Sequence, residues 1–511
     1  MRKYGVIIAT ALLVAMLMTG TALAALPGNG WWVFYQVQNV GNADGTLAMQ
    51  AYQVGDPTEY VGSCPLGMGK ALAFHPGLAP TCPTGDRIGF TPELPAGFQG
   101  AVVLSSDAPI VAVAQVGNNP SGSVGVAGGT ATAFYQGIGS EAASTRVNFP
   151  TVKHNFGGQT TTFYVQAAGA DANATITYRM NDGSVHTQTT VIPANHMFVF
   201  DPLNATPPVA SDSCGAAATS PCLGAATVES TTGPIVGVVV EHPHTGSPAP
   251  FVLSTRGFTA ADEDTTIFAP TIKNAFNGGT TGWSVQNVGA VDTTVYVTFT
   301  VTNIASGVTG VNIGDQFFAN EVVGAGQATV FSAFRNNLGG MPAGVYAAGV
   351  ASASQPLVGS VNESKDQAGT PGGKVKAVYG CFPKSKATNK VALPVVKEMF
   401  NSQTTGVTVV NAGDQPTQFI ATYTDANGNV RTFQTVRTDI QPGEAVPFFQ
   451  VFQNPGGRFT GLADFSVLFN TKNSVLITTN NGEEIVALAQ ESDRTATPSL
   501  DIKNYEGFNL Q

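Results

Sequence analysis

Charged residues are scarce in this sequence. They make up 11% of its 511 residues, whereas ordinary soluble domains contain about 25%. The formal net charge is −10, so the chain has no excess of Lys and Arg to neutralise phosphate groups, and we expect no nucleic-acid partner. A surface made instead of Thr, Ser, Asn, Gln and Gly is typical of exported β-proteins.

The sequence also lacks the short motifs of common enzymes. It contains no G-x-S-x-G nucleophile turn, no G-x-x-x-x-G-K-[ST] phosphate loop and no H-E-x-x-H zinc motif. The nearest approach to a metal site is His242-Pro243-His244 beside Glu241, where the intervening Pro favours a loop rather than a fixed set of ligands. We therefore predict no catalytic residue, no metal site and no cofactor, and a protein that is not an enzyme.

Long apolar runs are missing except near the N-terminus. Arg2 and Lys3 precede an apolar segment at 6–18, and Ala22-Leu23-Ala24 follows it. This is the pattern of a secretory signal peptide, with an apolar segment too short to span a bilayer. We predict that residues 1–24 are removed, that the mature chain has no membrane span, and that it is secreted to the extracellular space or the cell surface.

Cysteine is rare as well. The chain has five, Cys64, Cys82, Cys214, Cys222 and Cys381. In an exported chain the two close pairs predict the disulfides Cys64–Cys82 and Cys214–Cys222. Cys381 is left over, and the sequence leaves two alternatives open for it: a buried, inert thiol or an intermolecular one.

What the sequence does contain is a repeat. Val285-Gln286-Asn287-Val288-Gly289 has counterparts that begin at Val37, Val165 and Val409. Self-similarity at a nearly fixed period identifies tandem structural units. It divides the chain into repeat one (25–138), repeat two (139–258), repeat three (259–382) and repeat four (383–498), each about 120 residues long, followed by a C-terminal strand or tail (499–511).

Each copy of this stretch lies in a predicted strand. Tyr35, Val37 and Asn39 occupy alternate positions, the period of a strand with one buried face. We call the repeated five residues the organising stretch and its first residue, Val37, Val165, Val285 or Val409, the organising Val. Two places before this Val, the residue is large and apolar in every copy. We interpret this column as core rather than as an aromatic platform for sugar: Tyr35, Phe163, Trp283 and Val407.

A hairpin follows the organising strand. In repeat two its turn is Asn181-Asp182-Gly183-Ser184, which supplies the positive φ of a tight turn. We predict that 307–310 lengthens this hairpin in repeat three and that the Cys64–Cys82 loop replaces it in repeat one. Each repeat then closes with a predicted strand pair, as at 101–106 and 109–113. About seven short strands per repeat favour an all-β, immunoglobulin-like two-sheet sandwich.

A constant spacing marks the junctions between repeats. Each junction has the same spacing of 13 positions, from Gly137 to Pro150, from Gly257 to Pro270, and from Cys381 to Pro394. Because Pro cannot donate to a strand ladder, we predict that the Pro-containing strand lies at a sheet edge. The constant spacing also predicts stiff junctions and an elongated rod of four domains.

The two ends of the chain depart from the pattern. Tyr505-Glu506-Gly507-Phe508 matches the junction strand but no repeat follows it, and repeat one has no apolar strand before it once residues 1–24 are removed. Two alternatives stay open. The strand with Tyr505, Gly507 and Phe508 either pairs within repeat four or completes repeat one of the next molecule, which would build a head-to-tail filament by strand addition.

The combined pattern is apolar-Pro-Thr/Val-apolar-Lys, a Thr-rich turn, Val-Gln-Asn-x-Gly, a Tyr-rich strand with an Asn/Asp-Gly turn, and Ser-x-x-x-Pro-Ile-Val. It covers nearly all of the mature chain and resembles the tandem immunoglobulin-like domains of secreted bacterial surface proteins. The resemblance implies a non-enzymatic structural role in surface layers, appendages or filaments. The alternative is an adhesin or carbohydrate-binding array that contacts a cell-surface glycan or protein through variable loops. Trp31 and Trp32 are either an exposed binding site or packed residues.

Overall fold

The structure is a computed structural model that describes residues 11–16, 26, 30–118, 131–211, 220–244, 251–366, 374–400, 403–425, 429–449, 459–460, 470–493 and 502–509. In these ranges the chain forms strands, turns and short 3-10 helices. The predicted all-β class is confirmed. The chain divides into two compact units, Met1–Ala261 and Asp262–Gln511, and each contains two repeats.

No helix in the described part of the chain is long and apolar enough to cross a membrane.

Repeat one is built from two sheets. Their orders are β1-β7-β3-β4 and β6-β5-β2-β8-β9. The strands are β1 (Ala11–Met16), β2 (Trp31–Asn39), β3 (Gly45–Gln53), β4 (Glu59–Leu66), β5 (Ala71–Phe74), β6 (Arg87–Ile88), β7 (Gln99–Ser106), β8 (Ile110–Asn118) and β9 (Ala131–Gln136).

Repeat two has the same arrangement, with order β13-β12-β15-β10 continuing into β11-β16-β17, and β14 beside β11. Two 3-10 helices, Ser140–Ala142 and Pro202–Asn204, lie in its connections. The strands are β10 (Arg146–Phe156), β11 (Gln159–Ala167), β12 (Ala172–Met180), β13 (Val185–Ile192), β14 (Met197–Phe200), β15 (Leu223–Ser230), β16 (Ile235–Pro243) and β17 (Leu253–Arg256).

Repeat three has the order β21-β20-β23-β18-β25 on one side, while β19 pairs with β22 and β23, and β24 with β23. Its 3-10 helices are Ala260–Asp262 and Ala333–Arg335. The strands are β18 (Asp264–Asn274), β19 (Gly279–Asn287), β20 (Thr293–Ile304), β21 (Gln316–Val323), β22 (Ala328–Ser332), β23 (Val345–Asp366), β24 (Lys374–Gly380) and β25 (Phe382–Pro383).

Repeat four has the sheets β31-β29-β28-β32-β26-β35 and β30-β27-β33-β34, with a 3-10 helix at Lys384–Lys386. The strands are β26 (Lys390–Glu398), β27 (Gln403–Asn411), β28 (Phe419–Asp425), β29 (Val430–Thr435), β30 (Ala445–Phe449), β31 (Phe459–Thr460), β32 (Thr471–Thr479), β33 (Ile485–Asp493), β34 (Ile502–Glu506) and β35 (Phe508–Asn509).

All four repeats share one strand order over eight positions. In repeat one the eight positions are β1 to β5 followed by β7, β8 and β9, and in repeat three the long strand β23 supplies both the sixth and the seventh. One side of the sandwich holds the fourth, third, sixth and first positions, and the other holds the fifth, second, seventh and eighth. This is the predicted two-sheet sandwich with an order of its own. In constant-type immunoglobulin domains the first strand lies beside the second and the sixth beside the seventh. Here the first strand pairs with the sixth, and the sixth and seventh do not pair with each other.

The two predicted closing strands are present as β7 and β8, but they do not pair with each other. β7 pairs with β1 and β3, whereas β8 pairs with β2 and β9. The physical reason lies in the connection, because Asp107-Ala108-Pro109 has no glycine or other positive-φ residue to make a tight hairpin. The segment instead carries the chain from one sheet to the other.

The predicted hairpin after the organising strand is present in repeat two, where Gly183 has φ of 88° and Arg179 pairs with Val185. In repeat one the prediction was wrong. β3 and β4 form a hairpin from Gly45 opposite Leu66 onward, so the Cys64–Cys82 loop follows this hairpin and does not replace it.

The Pro-containing strand does not lie at a sheet edge. β10 lies between β15 and β11, and β18 and β26 are likewise paired on both sides. The register shifts between Phe149 and Val152, and at the matching points of β18 and β26. Pro150 therefore lies at a bulge, the other place in a sheet that accommodates a residue without an N–H donor.

The organising stretch is explained by its Asn side chain. Buried Asn287 donates to the carbonyl oxygens of Val291 and Val323 at 2.8 and 3.0 Å, and its own oxygen accepts from the Gly289 N–H at 2.9 Å. Asn39 and Asn411 make the same three contacts. We call these three hydrogen bonds the Asn clamp, because they hold the turn that follows the strand.

Repeat two, which has Ala167 at this position, recovers part of the clamp from elsewhere. Asn195, with φ of 63°, accepts the hydrogen bond from the Gly169 N–H at 3.0 Å.

The predicted core column is confirmed in all four repeats, because Tyr35, Phe163, Trp283 and Val407 are all buried.

Within each unit the two repeats share buried surface. On β11, Phe163 and Val165 belong to the core of repeat two, whereas Tyr164 belongs to the cluster that fills repeat one. In the second unit, Val409 lies in the core of repeat four and Val410 in the cluster of repeat three. Both faces of these strands are buried, which explains their nearly continuous apolar and Thr-rich composition.

Candidate functional site

The first-strand position is where the repeats differ most. In repeats two, three and four it holds β10, β18 and β26, each paired with the sixth strand and each carrying one extra residue at the bulge. In repeat one it holds β1, which pairs with β7 in unbroken register from Ala11 opposite Leu104 to Met16 opposite Gln99. This strand lies within residues 1–24, the predicted signal peptide.

A buried ion pair recurs at this position in three repeats. The Lys three residues after the bulge Pro reaches a Glu on the seventh strand, and the side chains of each pair are largely inaccessible to solvent. The Nζ–Oε distances are 2.8 Å for Lys153–Glu241, 2.6 Å for Lys273–Glu363 and 2.9 Å for Lys397–Glu491.

A Thr on the second strand completes each set. The backbone N–H of Lys273 donates to Thr281 Oγ1 at 2.9 Å, and Thr161 and Thr405 accept from Lys153 and Lys397 in the same way. Each Thr lies directly opposite the Glu in the ladder between the second and seventh strands. The Lys, Thr and Glu therefore form one buried polar set that holds the first strand against the other sheet.

Repeat one lacks this set. Val33 and Val116 lie opposite each other at the positions of the Thr and the Glu, and both are buried, with 2% and 1% of their surface exposed. Met16 takes the Lys position in the register, because it lies opposite Gln99, next to Gly100. Gly100 corresponds to Gly224, since an added Cβ at either would lie within 2.3 Å of a carbonyl oxygen on the third strand.

The sequence contains a signal for both charged members of this set, but the repeat pattern described above includes only the Lys. The Lys of the apolar-Pro-Thr/Val-apolar-Lys pattern recurs in repeats two to four, but its Glu partner was not identified. Glu241, Glu363 and Glu491 follow their Lys residues by roughly 90 positions. Because charged residues are so few, this coincidence of three Lys and three Glu at matching places indicated a pair.

The cysteines have different environments. Cys64 and Cys82 form a disulfide in repeat one. Cys222 is buried and disulfide-bonded, while its predicted partner Cys214 lies outside the described residues.

Cys381 is a free, buried thiol, which is the environment of the first alternative that the sequence left open. Trp283 Nε1 donates to its sulfur at 3.0 Å. Burial raises the pKa of the Cys381 thiol far above its ordinary value, and the hydrogen bond from Trp283 opposes this by a smaller amount. A thiol outside the reach of solvent and kept protonated is inert.

The histidines of repeat two are partly brought together. The rings of His154 and His244 lie 5.5 Å apart, but Glu241 faces Lys153 instead of completing a ligand set. His242 contacts Thr162 at 3.0 Å, and burial lowers its pKa. In the part of the chain that the structure describes, no group of three or more His, Cys, Asp or Glu side chains is placed to hold a metal ion.

Trp31 and Trp32 are packed residues and do not form an exposed site, with 2% and 4% of their surface exposed.

The predicted assembly strand is also paired. Tyr505 lies opposite Ala489 of β33, the Gly507 N–H donates to the Ala487 carbonyl at 2.8 Å, and Phe508 lies opposite Ala392 of β26. Residues 502–506 thus fill the eighth-strand position of repeat four and residues 508–509 pair with its first strand, which is the first of the two alternatives left open by the sequence.

Comparison with known proteins adds little to this description. No family profile matches the sequence, and no curated protein does either. A crystal structure described as Thermotoga maritima 1070 is similar over 24% of this chain and 94% of its own, at 11% identity and a TM-score of 0.19. A tetra-tandem repeat in the extending region of a large adhesion protein aligns over 98% of this chain and 100% of its own, at 11% identity and a TM-score of 0.11. Both TM-scores are too low to support an inference about the fold or function of this chain.

Proposed function

We propose that this chain is a non-enzymatic structural protein of the cell surface, exported with removal of residues 1–24. One observation carries the proposal: the same sandwich is built four times, and what recurs are core and clamp residues. The Asn clamp, the buried Lys–Glu pair and the apolar column all lie inside the fold. Repetition of a scaffold whose recurring side chains, among the described residues, are buried favours a role in spacing or assembly over catalysis.

Export is tested by locating the protein in its own cells. We expect the protein in the surface or extracellular fraction, with Ala25 as the N-terminal residue by Edman or mass-spectrometric sequencing. Finding intact Met1 in the cytoplasm contradicts the proposal. A matched control with Ala22 and Ala24 both changed to Leu, which removes the small residues of the cleavage site, should keep its first 24 residues.

Assembly into filaments or a surface layer is the finer form of the proposal. Its support is the first-strand position of repeat one, which depends on residues that export removes. Head-to-tail assembly through the C-terminal strand predicts oligomers or filaments of the chain that begins at Ala25, whereas a strand from a different protein at this position predicts single molecules. Light scattering and negative-stain microscopy separate the two outcomes, with the chain that keeps β1 as the control. Single molecules in both samples would leave a surface protein that does not self-assemble.

A second candidate function is adhesion through repeat three. Tyr296 on β20 and Phe318 on the edge strand β21 have 59% and 64% of their surface exposed, and Val322 has 74%. Tyr296 lies opposite Asn320 and Phe318 opposite Thr298, so the two rings are diagonal neighbours on the outer sheet face. Exposed aromatic faces of this kind suit the apolar side of a sugar ring.

Glycan arrays test this second candidate. We expect any glycan bound by the wild-type chain to be lost when Tyr296 and Phe318 are both changed to Ser. The matched control is Val191→Ser on β13, the corresponding strand of repeat two, whose side chain is 63% exposed. Equal loss in the control, or no binding by the wild type, contradicts a glycan site on repeat three.

A further inference from the structure

We propose that, after removal of residues 1–24, the first-strand position of repeat one accepts an apolar, uncharged β-strand from another polypeptide chain. This inference rests on the export that we propose above. It goes further by naming the acceptor strand and the chemistry of the segment that it binds.

The geometry of β1 identifies the acceptor. β1 is the outermost strand of its sheet, and its only ladder within the described residues is the one with β7. Without β1, no other described strand pairs with this edge of β7, and its N–H and C=O groups from Gln99 to Leu104 are open to a new partner. Such an edge is a template for strand addition, in which main-chain hydrogen bonds give affinity and side-chain fit gives selectivity.

The chemistry of the position sets the selectivity. A strand that resembles β10, β18 or β26 would bring a Lys to the place that Met16 occupies in the register. In the other repeats that Lys meets a Glu, but in repeat one Val33 and Val116 stand at the Thr and Glu positions. An ammonium group buried against two valines has no counter-ion, so the position discriminates against the first strands of the chain's own repeats.

The C-terminal strand of a second copy is not the occupant that this geometry favours. Residues 502–506 fill an eighth-strand position in repeat four, and β9 already fills the eighth-strand position of repeat one. The open position is a first-strand position, with a different neighbour. Ala11–Met16, a run of apolar residues without charge or Pro, shows the composition that the position takes.

Binding of a labelled peptide tests the proposal. The probe contains Ala-Leu-Leu-Val-Ala-Met between short polar ends, and its matched control replaces the Met with Lys. Fluorescence anisotropy should show that the chain beginning at Ala25 binds the probe at least 10-fold more tightly than the Lys peptide, a factor equal to about 1.4 kcal/mol. The full chain, in which β1 occupies the position, should bind neither peptide.

Exchanging the polar set should reverse the selectivity. With Val33→Thr and Val116→Glu together, the chain beginning at Ala25 should prefer the Lys peptide over the Met peptide. Equal binding of both peptides, or no change of preference in the double variant, overturns the proposal. Preferential binding of a peptide that spans 502–509 also overturns it, because the occupant would then be the tail of a second copy.

A second measurement covers the case in which the chain beginning at Ala25 does not fold. The full chain is folded with a protease site placed between β1 and β2, cleaved, and incubated with the labelled peptides. Incorporation of the Met peptide and not the Lys peptide supports the proposal, and incorporation of neither or of both overturns it. Because purified protein is used, these results do not depend on where the cell places the chain, so failure of the export proposal is seen separately by fractionation.

Discussion

Repeat one and repeat three have the same eight-position sandwich but hold their first strands by different means. In repeat three the strand belongs to the same domain, carries a Pro bulge and is held by the buried Lys273–Glu363 pair. In repeat one the strand comes from residues 11–16 and runs without a bulge, and Val33 and Val116 stand at the Thr and Glu positions. The buried polar set ties the first strand of repeat three to its own repeat, whereas the apolar position of repeat one fits our proposal that its strand is removed and replaced.

The comparison also explains why the Lys, Thr and Glu of the polar set are either all present in a repeat or all absent. A buried Lys–Glu pair is weak evidence for stability by itself, since replacing both partners with apolar residues is often neutral. Removing one partner leaves an uncompensated charge. Repeat one has lost Lys, Thr and Glu together, which is the combination that avoids this penalty.

The largest effect is expected from breaking the pair in repeat three. Lys273→Met leaves Glu363, which is 2% exposed, without its counter-ion and should destabilise repeat three by about 3–5 kcal/mol. Hydrogen exchange measured on peptides from β18, β19 and β23 reports this repeat separately from the others.

The control for this prediction recreates repeat one inside repeat three. Lys273→Met, Thr281→Val and Glu363→Val together should bring the stability back to within about 1 kcal/mol of the wild type. A triple variant less stable than the single one would show that the polar set contributes more than charge compensation.

The disulfide of repeat one should have the next largest effect. It joins residues with a sequence separation of 18, and a loop of this size stabilises a fold by about 3 kcal/mol in the chain-entropy model. In the chain beginning at Ala25, which lacks β1, Cys64→Ala with Cys82→Ala should make the 60–90 segment sensitive to protease. Cys381→Ala is the control, since it removes a cysteine without opening a loop. Equal protease resistance in both variants would contradict a stabilising role for the bond.

The Asn clamp should give a smaller effect that separates repeat two from the other three. Asn287→Ala removes one acceptor and two donated hydrogen bonds at a fully buried site and should destabilise repeat three by about 2 kcal/mol. Asn195→Ala in repeat two, where the Gly169 N–H has this outside partner, should have about half that effect. Hydrogen exchange of the following turn measures both, and equal effects would contradict the assignment of Asn195 as a partial substitute.

The sequence predicted much of this fold because repetition makes local patterns reliable. Strand alternation around Val285 and its copies identified the core column, and Gly183 identified a hairpin. What it could not show was which strands pair, because the period of two says which face is buried and not which neighbour lies beside it. The sixth and seventh strands were therefore paired wrongly, and the Pro strands were placed at an edge.

Parts of the candidate site needed tertiary information for a second reason. The spacing rule placed Cys381 where other repeats have Gly257 and Gly137, but burial of the thiol depends on a distant change. An added Cβ at Gly257 would lie 2.3 Å from Val147 and 2.8 Å from Phe149. Repeat three has the smaller Ala269 at the position of Phe149, which makes room for the sulfur.

The smallest effect is a pH dependence confined to repeat three, where Cys381 replaces the glycine of the other repeats. Its folded-state pKa is raised by burial, so the stabilising difference is fully present below the ordinary thiol pKa and is lost as pH rises above it. With an unfolded-state pKa of about 8.5, repeat three should lose about 1 kcal/mol between pH 7 and pH 9. In Cys381→Ala the free energy of unfolding should fall less steeply with pH, because only the buried tyrosines, which the wild type and the variant share, still contribute to the slope. The comparison uses slopes, because the variant also leaves the Trp283 N–H without its acceptor at every pH. Hydrogen exchange corrected for its intrinsic pH dependence gives both slopes, and equal slopes, or rapid reaction of a thiol reagent with the folded chain at pH 8, would show that Cys381 reaches solvent.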